Sequence, residues 1–194
     1  MAFWSKQESE PLRQYRWIIN FGATEVTNGS MDSLIYALKK VDKPKAKVGE
    51  ITHKYLNHFF YYPGRLEWEA INMTFAAITT PNATNLVNNV FLGAGYGVPT
   101  NVTGFDNVSS IGKRKFSNML GSSIDIIQLN PDGQILERWR LANPFFTSVQ
   151  FGSLDYSSEE IVEITTTVRY DWAKLMDVND RDDSVRNINN LGVP

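Results

Sequence analysis

The stretch SIDIIQLNPDGQILERWRL, residues 123–141, reads as two strands joined by a turn. Asn130-Pro131-Asp132-Gly133 supplies the turn chemistry, because proline presets φ and glycine accepts the positive φ on which such turns often end. Ser123 to Leu129 runs in and Gln134 to Leu141 runs out. On the outgoing strand Ile135, Trp139 and Leu141 share one face, while Arg138 and Arg140 share the other. That alternation is the period of a half-buried strand, so this part of the chain is antiparallel hairpin.

The pattern extends outward in both directions. Tyr15, Trp17, Ile19 and Phe21 alternate with Gln14, Arg16 and Asn20, which predicts a strand over 13–21. Between Glu160 and Tyr170, Val162, Ile164, Val168 and Tyr170 share one face and Glu163, Thr165, Thr167 and Arg169 the other. Strands are also predicted at 34–41 and 66–75, the second with a phase slip near Ala70 that reads as a bulge. Between them, about 42–64, lies a segment carrying Lys43, Lys45, Lys47, His53 and Lys54, then Phe59-Phe60-Tyr61-Tyr62. It is too long for a tight turn and too aromatic for a solvated loop, so it is expected to be an extended hairpin. Its apolar tip or flank would be covered by a partner, since such a patch is a liability on a monomer.

Helical signals are few. Asn82 can cap a helix in which Leu86, Val87, Val90 and Phe91 recur at helical spacing, with Gly93 to end it. A second short helix is predicted at 113–120. The Gly-, Asn- and Thr-rich segment 93–110 reads as loop, and 179–194 as a polar, mobile tail. The fold class expected is mainly β with a flanking helix: two packed antiparallel sheets forming a barrel-like sandwich. The expected organisation is a single domain over 1–176 and a polar tail over 177–194.

Bulk properties exclude several function classes. The chain has 194 residues, 42% of them hydrophobic and 12% aromatic, which suits one domain with a real core and not a disordered chain. A formal net charge of −2 gives no overall basic footprint for a nucleic-acid binder. With no cysteine there is no disulfide, thiolate metal site or thiol nucleophile. No apolar run approaches the ~20 residues of a membrane helix, and residues 1–11 carry no signal-peptide pattern, so cytoplasmic assembly is expected. The sequons at Asn28, Asn72, Asn82, Asn101 and Asn107 are then expected to be chance products of an Asn- and Thr-rich chain.

No catalytic, cofactor or metal site is expected. His53 and His58, the only histidines, lack a third ligand in any matching arrangement and read as ordinary loop or interface residues. Glu67 and Glu69 share one predicted strand face, where a solvated face or an intersubunit charge pair outweighs acid–base chemistry. Gly93-Ala94-Gly95-Tyr96-Gly97 follows a helical pattern instead of a strand, which removes the context of a phosphate loop. Lys113-Arg114-Lys115, beside Phe116, is a weak phosphate signal; a surface patch meeting acidic groups is at least as good a reading.

Trp139-Arg140-Leu141-Ala142-Asn143-Pro144-Phe145 leads through Phe151-Gly152-Ser153-Leu154-Asp155-Tyr156-Ser157-Ser158-Glu159-Glu160 into the last strand, which ends Tyr170-Asp171-Trp172. This segment resembles the closing part of tail tube proteins from contractile-tailed bacteriophages. The middle is similar too: a long hairpin, Pro63-Gly64-Arg65-Leu66-Glu67-Trp68-Glu69 opening the next strand, then a helix after Asn82. The resemblance spans roughly 12–172 by element order, and it extends to the tubes of injection and type VI secretion systems. It implies the tail tube fold and a structural virion protein, not an enzyme. Six subunits would form a ring, and rings would stack into the inner tube of the tail, assembled in the host cytoplasm. The implied partners are the sheath outside, baseplate and tail terminator proteins at the ends, the tape-measure protein in the lumen and DNA in passage without specific binding, with no membrane. Phe59, Phe60, Tyr61, Tyr62, Lys45 and Lys47 are the expected subunit or ring interface. The alternatives are a tube-like baseplate initiator or terminal protein, an injection-system tube, or a soluble β-sandwich carbohydrate binder stacking sugar on Tyr61, Tyr62 and Tyr96.

Overall fold

The computed structural model describes residues 12–22, 30–80, 82–97 and 110–176. The expected N-terminal segment 1–11, most of the 93–110 loop and the tail from 177 lie outside them. Among the described residues ten strands and three helices follow in the order β1 (Trp17–Phe21), α1 (Ser30–Ala37), β2 (Leu38–Val41), β3 (Ala46–Tyr55), β4 (His58–Trp68), β5 (Ile71–Ala76), α2 (Ala83–Gly93), α3 (Lys113–Leu120), β6 (Ser123–Leu129), β7 (Ile135–Ala142), β8 (Phe145–Gln150), β9 (Glu163–Arg169) and β10 (Trp172–Met176).

The strands form two antiparallel four-stranded sheets, β1-β6-β7-β10 and β2-β5-β9-β8, and a separate pair, β3-β4. The fold is mainly β, as expected, but each four-stranded sheet keeps two open edges among the described residues, so the barrel is not closed within one chain. Ile19, Phe21, Ile124, Ile126 and Leu141 from the first sheet meet Ile71, Met73, Phe75, Ile164 and Val168 from the second in one buried core. The alternation of β9 places Ile164, Thr166, Val168 and Tyr170 inward. Leu34 and Ala37 of α1, Val87 and Val90 of α2, and Phe116 and Leu120 of α3 add to the same core.

The turn at 130–133 forms as its residues require. Gly133 has φ 78°, its N–H donates to Asn130 O at 3.1 Å, and the Asn130 side chain accepts from Gln134 N at 2.7 Å. Asn82 caps α2 by accepting from Asn85 N at 3.0 Å.

Two sequence expectations are corrected. Residues 34–41 are not one strand: α1 runs to Ala37 and only Leu38–Val41 is strand. Leu34 and Ala37 are buried three apart while Tyr36 is exposed, and that is helical spacing. The slip near Ala70 is not a bulge but the passage from β4, in the separate pair, to β5, in the four-stranded sheet. A register irregularity lies instead between Val48 and Glu50, where Gly49 faces both Gly64 and Arg65. The two backbones approach so closely there that a Cβ on Gly64 would lie 3.0 Å from Gly49 O.

Candidate subunit interface

The β3–β4 pair is an arm. Its strands run ten and eleven residues, join through Leu56-Asn57, and have no third strand beside them among the described residues. At ~3.3 Å per residue the arm reaches about 33 Å. One backbone hydrogen bond closes its root, and two contacts fix that root to the body. Glu69 N–H donates to Lys45 O at 2.9 Å, Arg169 Nη2 donates to Glu67 at 3.1 Å, and the Trp68 ring lies 6.2 Å from that of Tyr170. The enclosed Tyr170 hydroxyl makes no hydrogen bond within normal length. Burial raises its pKa above the usual phenol value, with a smaller opposing pull from the backbone at Lys45.

All six residues expected at the interface lie on or at the root of this arm and are exposed, Phe59 to Tyr62 between 48% and 65%. They do not form one patch. Cross-strand pairs Thr52–Tyr61 and Lys54–Phe59 alternate with Ile51–Tyr62, His53–Phe60 and Tyr55–His58. The strand period therefore puts Phe59 and Tyr61 on one face and Phe60 and Tyr62 on the other. Lys54 stands over the Phe59 ring, its Nζ 5.7 Å from the centroid. On the opposite face Ile51 and Tyr55 join Phe60 and Tyr62, with His53 and His58 between them. Lys47 faces Glu67 across the strands, and Lys45 sits at the root with its carbonyl holding Glu69. Tyr61 and Tyr62, on opposite faces, cannot build a single platform for sugar stacking.

Other sequence candidates are placed elsewhere. Glu69 lies beyond the end of β4 while Glu67 is paired to Arg169, so the two carboxylates share no strand face. Phe116 is buried in the core, Lys113 pairs with Asp171 at 2.5 Å, and Lys115 donates to Ser110 O at 3.2 Å. Lys113 and Lys115 thus have partners within the chain. The Lys113 hydrogen bond, and then that from Asn143, hold the Asp171 pKa below the usual carboxylate value. Among the described residues no group of three His, Cys, Asp or Glu could hold a metal ion, and no helix is long and apolar enough to cross a membrane.

Sequence reasoning missed two features. The first is a buried ion cluster on the face of β6 and β7 turned away from the core. Asp125 accepts from Arg138 Nε at 3.0 Å and Nη2 at 2.5 Å, and from Arg140 Nε at 2.9 Å and Nη2 at 3.1 Å. The second is the loop between β8 and β9, where Leu154, Tyr156 and Ile161 stand exposed beside Asp155, Glu159 and Glu160.

The sequence matches no protein-family model and no curated protein. Solved structures do match. A chain of the anti-feeding prophage baseplate, determined with six-fold symmetrisation, superposes with a TM-score of 0.60 at 15% identity, over 88% of this chain and 99% of that one. A chain from the cap that terminates the anti-feeding prophage tube gives 0.58 at 19%, over 91% and 99%. A chain of the sheath–tube complex of PVC, an extracellular contractile injection system, gives 0.54 at 18%, over 91% and 98%. This is the fold of contractile-injection-system tube, cap and baseplate chains. It is shared almost from end to end, and at such identities the likeness is one of fold.

Proposed function

We propose that this chain is a structural subunit of a contractile tail, closing into six-membered rings that stack into the inner tube through which DNA is delivered. The observation that carries the reading is the arm: some 33 Å of two-stranded sheet, aromatic on both faces and with no further strand beside it among the described residues, on a body with the fold of tube-type proteins. A lone hairpin is marginal in water, and an exposed apolar surface of this kind marks a protein–protein contact. Phe59, Phe60, Tyr61 and Tyr62 make that contact, with Lys45 and Lys47 at the root. Open edges on both sheets supply the ring contacts, since pairing them removes a template for aggregation. Net charge of −2 suits a conduit, where a basic lining would hold phosphates and retard passage. The sheath, the tape-measure protein and the end-closing proteins of the tail are the partners this role requires.

Two of the structural matches come from a baseplate and a cap, which favours a second reading as a ring at one end of the tube. Copy number per particle separates the two, being large for a tube and six for a terminal ring under the proposed symmetry. The direct test is negative-stain electron microscopy of the concentrated protein. Hollow rings or tubes of uniform diameter are expected; a protein that stays monomeric at every concentration refutes the reading.

A further inference from the structure

The chain's two histidines stand on the same face of the arm. In the β3–β4 register Ile51 is opposite Tyr62, His53 opposite Phe60 and Tyr55 opposite His58. Pairs two residues apart along a strand share a face, so these six side chains form one surface toward the tip. His53 and His58 are diagonal neighbours on it, at the spacing of about 7–8 Å that such positions have. All six are exposed, the four apolar ones between 48% and 62%. At about 200 Å² for a large side chain those four present roughly 450 Å². Phe59 and Tyr61 on the other face bring the arm to roughly 700 Å², close to the ~800 Å² that each partner contributes to a standard protein–protein contact.

The histidine face carries no side chain of fixed charge. Glu50, opposite Pro63, and Lys54, opposite Phe59, fall in the alternate pairs and so on the other face. Lys47 and Glu67 are opposite each other at the root, beyond the register irregularity, and Arg65 lies at that irregularity across from Gly49. The remaining titratable groups on the face are the phenols of Tyr55 and Tyr62, and phenol ionises only near pH 10. Among the described residues no other strand or helix packs along the arm. The charge of this surface is therefore set by two imidazoles. Imidazole in water takes up a proton near pH 6.5, which makes histidine the side chain that changes charge between about pH 5 and 8. With both rings neutral the face can enter a dry contact. With both protonated it sets two cations among four apolar side chains, and burying a cation without a partner is strongly unfavourable.

Resting on the tube reading, we infer that the face of the arm bearing His53 and His58 is a pH-sensitive contact between copies of this chain, buried while both imidazoles are neutral and released when they charge. Linkage fixes the sign. Assembled copies hold fewer protons on the two rings than free copies do, so assembly is favoured above about pH 6.5 and weakens as pH falls below it. One unit lower, each histidine kept neutral by the contact costs about tenfold in association, and two cost about a hundredfold. The bulk effect has the opposite sign. The sequence pI is about 5.7, so acidification into that range removes net charge and by itself promotes association.

The test is self-assembly of the purified full chain at about pH 7.5 and about pH 5.5 at fixed ionic strength, a range in which histidine is the side chain that titrates. The critical concentration is read by sedimentation velocity, and electron microscopy separates tubes from amorphous precipitate. Wild type is expected to need about a hundredfold more protein at the lower pH. His53→Gln/His58→Gln should cut that ratio to within about threefold of unity, and each single variant should leave it near tenfold, whatever their critical concentrations at the higher pH. Far-UV circular dichroism at both pH values checks that every form stays folded; should the double variant unfold, the two single variants carry the comparison. A wild-type ratio near unity, a ratio of the opposite sign, or a ratio that the histidine variants retain in full overturns the inference and leaves the tube reading standing. A wild type that assembles at neither pH overturns both.

Discussion

Asp125→Asn should be among the most damaging single-atom changes in this chain. The Asp125 side chain is 4% exposed, that of Arg138 5% and that of Arg140 22%. The carboxylate accepts four hydrogen bonds, two from each guanidinium. Asparagine keeps the shape, so no cavity opens; it removes the charge, and its NH₂ now points a donor at two donors. Breaking a buried pair by removing one partner destabilises by about 3–5 kcal/mol, because the remaining charge stays out of water. In a chain of this size each kcal/mol lowers the melting temperature by about 2–4 °C, so a fall of about 6–20 °C is expected. The assay is thermal unfolding followed by circular dichroism, repeated in urea to give the free energy directly. Glu137→Gln is the control: its partner Lys43 lies 2.6 Å away but half exposed, and such pairs contribute about 0–1 kcal/mol. If Asp125→Asn melts no lower than Glu137→Gln, the cluster is not structural and the reasoning fails.

Three further outcomes are expected. Phe60→Asp, at an exposed arm position, leaves a folded monomer by circular dichroism and abolishes rings and tubes in electron micrographs; intact tubes would remove the arm from the interface. Tyr170→Phe deletes a buried hydroxyl without a partner and should raise stability by about 1 kcal/mol in urea titrations. Because burial raises the Tyr170 pKa, its contribution is complete below about pH 10 and lost as pH rises through the folded value, and the Phe variant should lack that alkaline loss. Asp171 has a lowered pKa, so its contribution is present above about pH 4 and lost as pH falls through the folded value. Asp171→Asn should flatten that acid limb by less than about 1 kcal/mol, since both Asp171 and Lys113 remain well exposed.

What could be read from the sequence was local chemistry. The 130–133 turn, the capping Asn82, the alternation of β9 and the helix at Lys113–Leu120 each carry their signal within a few residues. So does the existence of the arm. What failed needed tertiary context. The apolar run at 34–41 fits a strand or a short helix, and packing of Leu34 and Ala37 into the core decides for helix. The slip at Ala70 looks the same whether a strand bulges or changes sheets. Arg138 and Arg140 were set on the polar face correctly, yet that face is buried where Asp125 lies. Counting outward from the turn brings Asp125 among them, a signal the pattern of apolar residues conceals. The four aromatics at 59–62 fall on a strand, and the period of two that divides them between faces was already in that assignment.

The division of the aromatics between faces bears on how assembly proceeds. A two-stranded arm with apolar residues on one face could lie against its own body, as β-hairpins in compact domains do. With Phe59 and Tyr61 on one side and Phe60 and Tyr62 on the other, folding back would bury one pair and expose the other. Only insertion between surfaces covers both. An arm lodged between two neighbouring subunits would gain apolar burial from each at about 25 cal/mol per Å², while contact with one subunit gains only half. Assembly onto an existing ring, which offers two adjacent subunits, is thereby favoured over pairing of free monomers. A mixture seeded with preformed rings should then elongate without the lag that unseeded protein shows, and equal lag times with and without seeds would count against two-sided insertion of the arm.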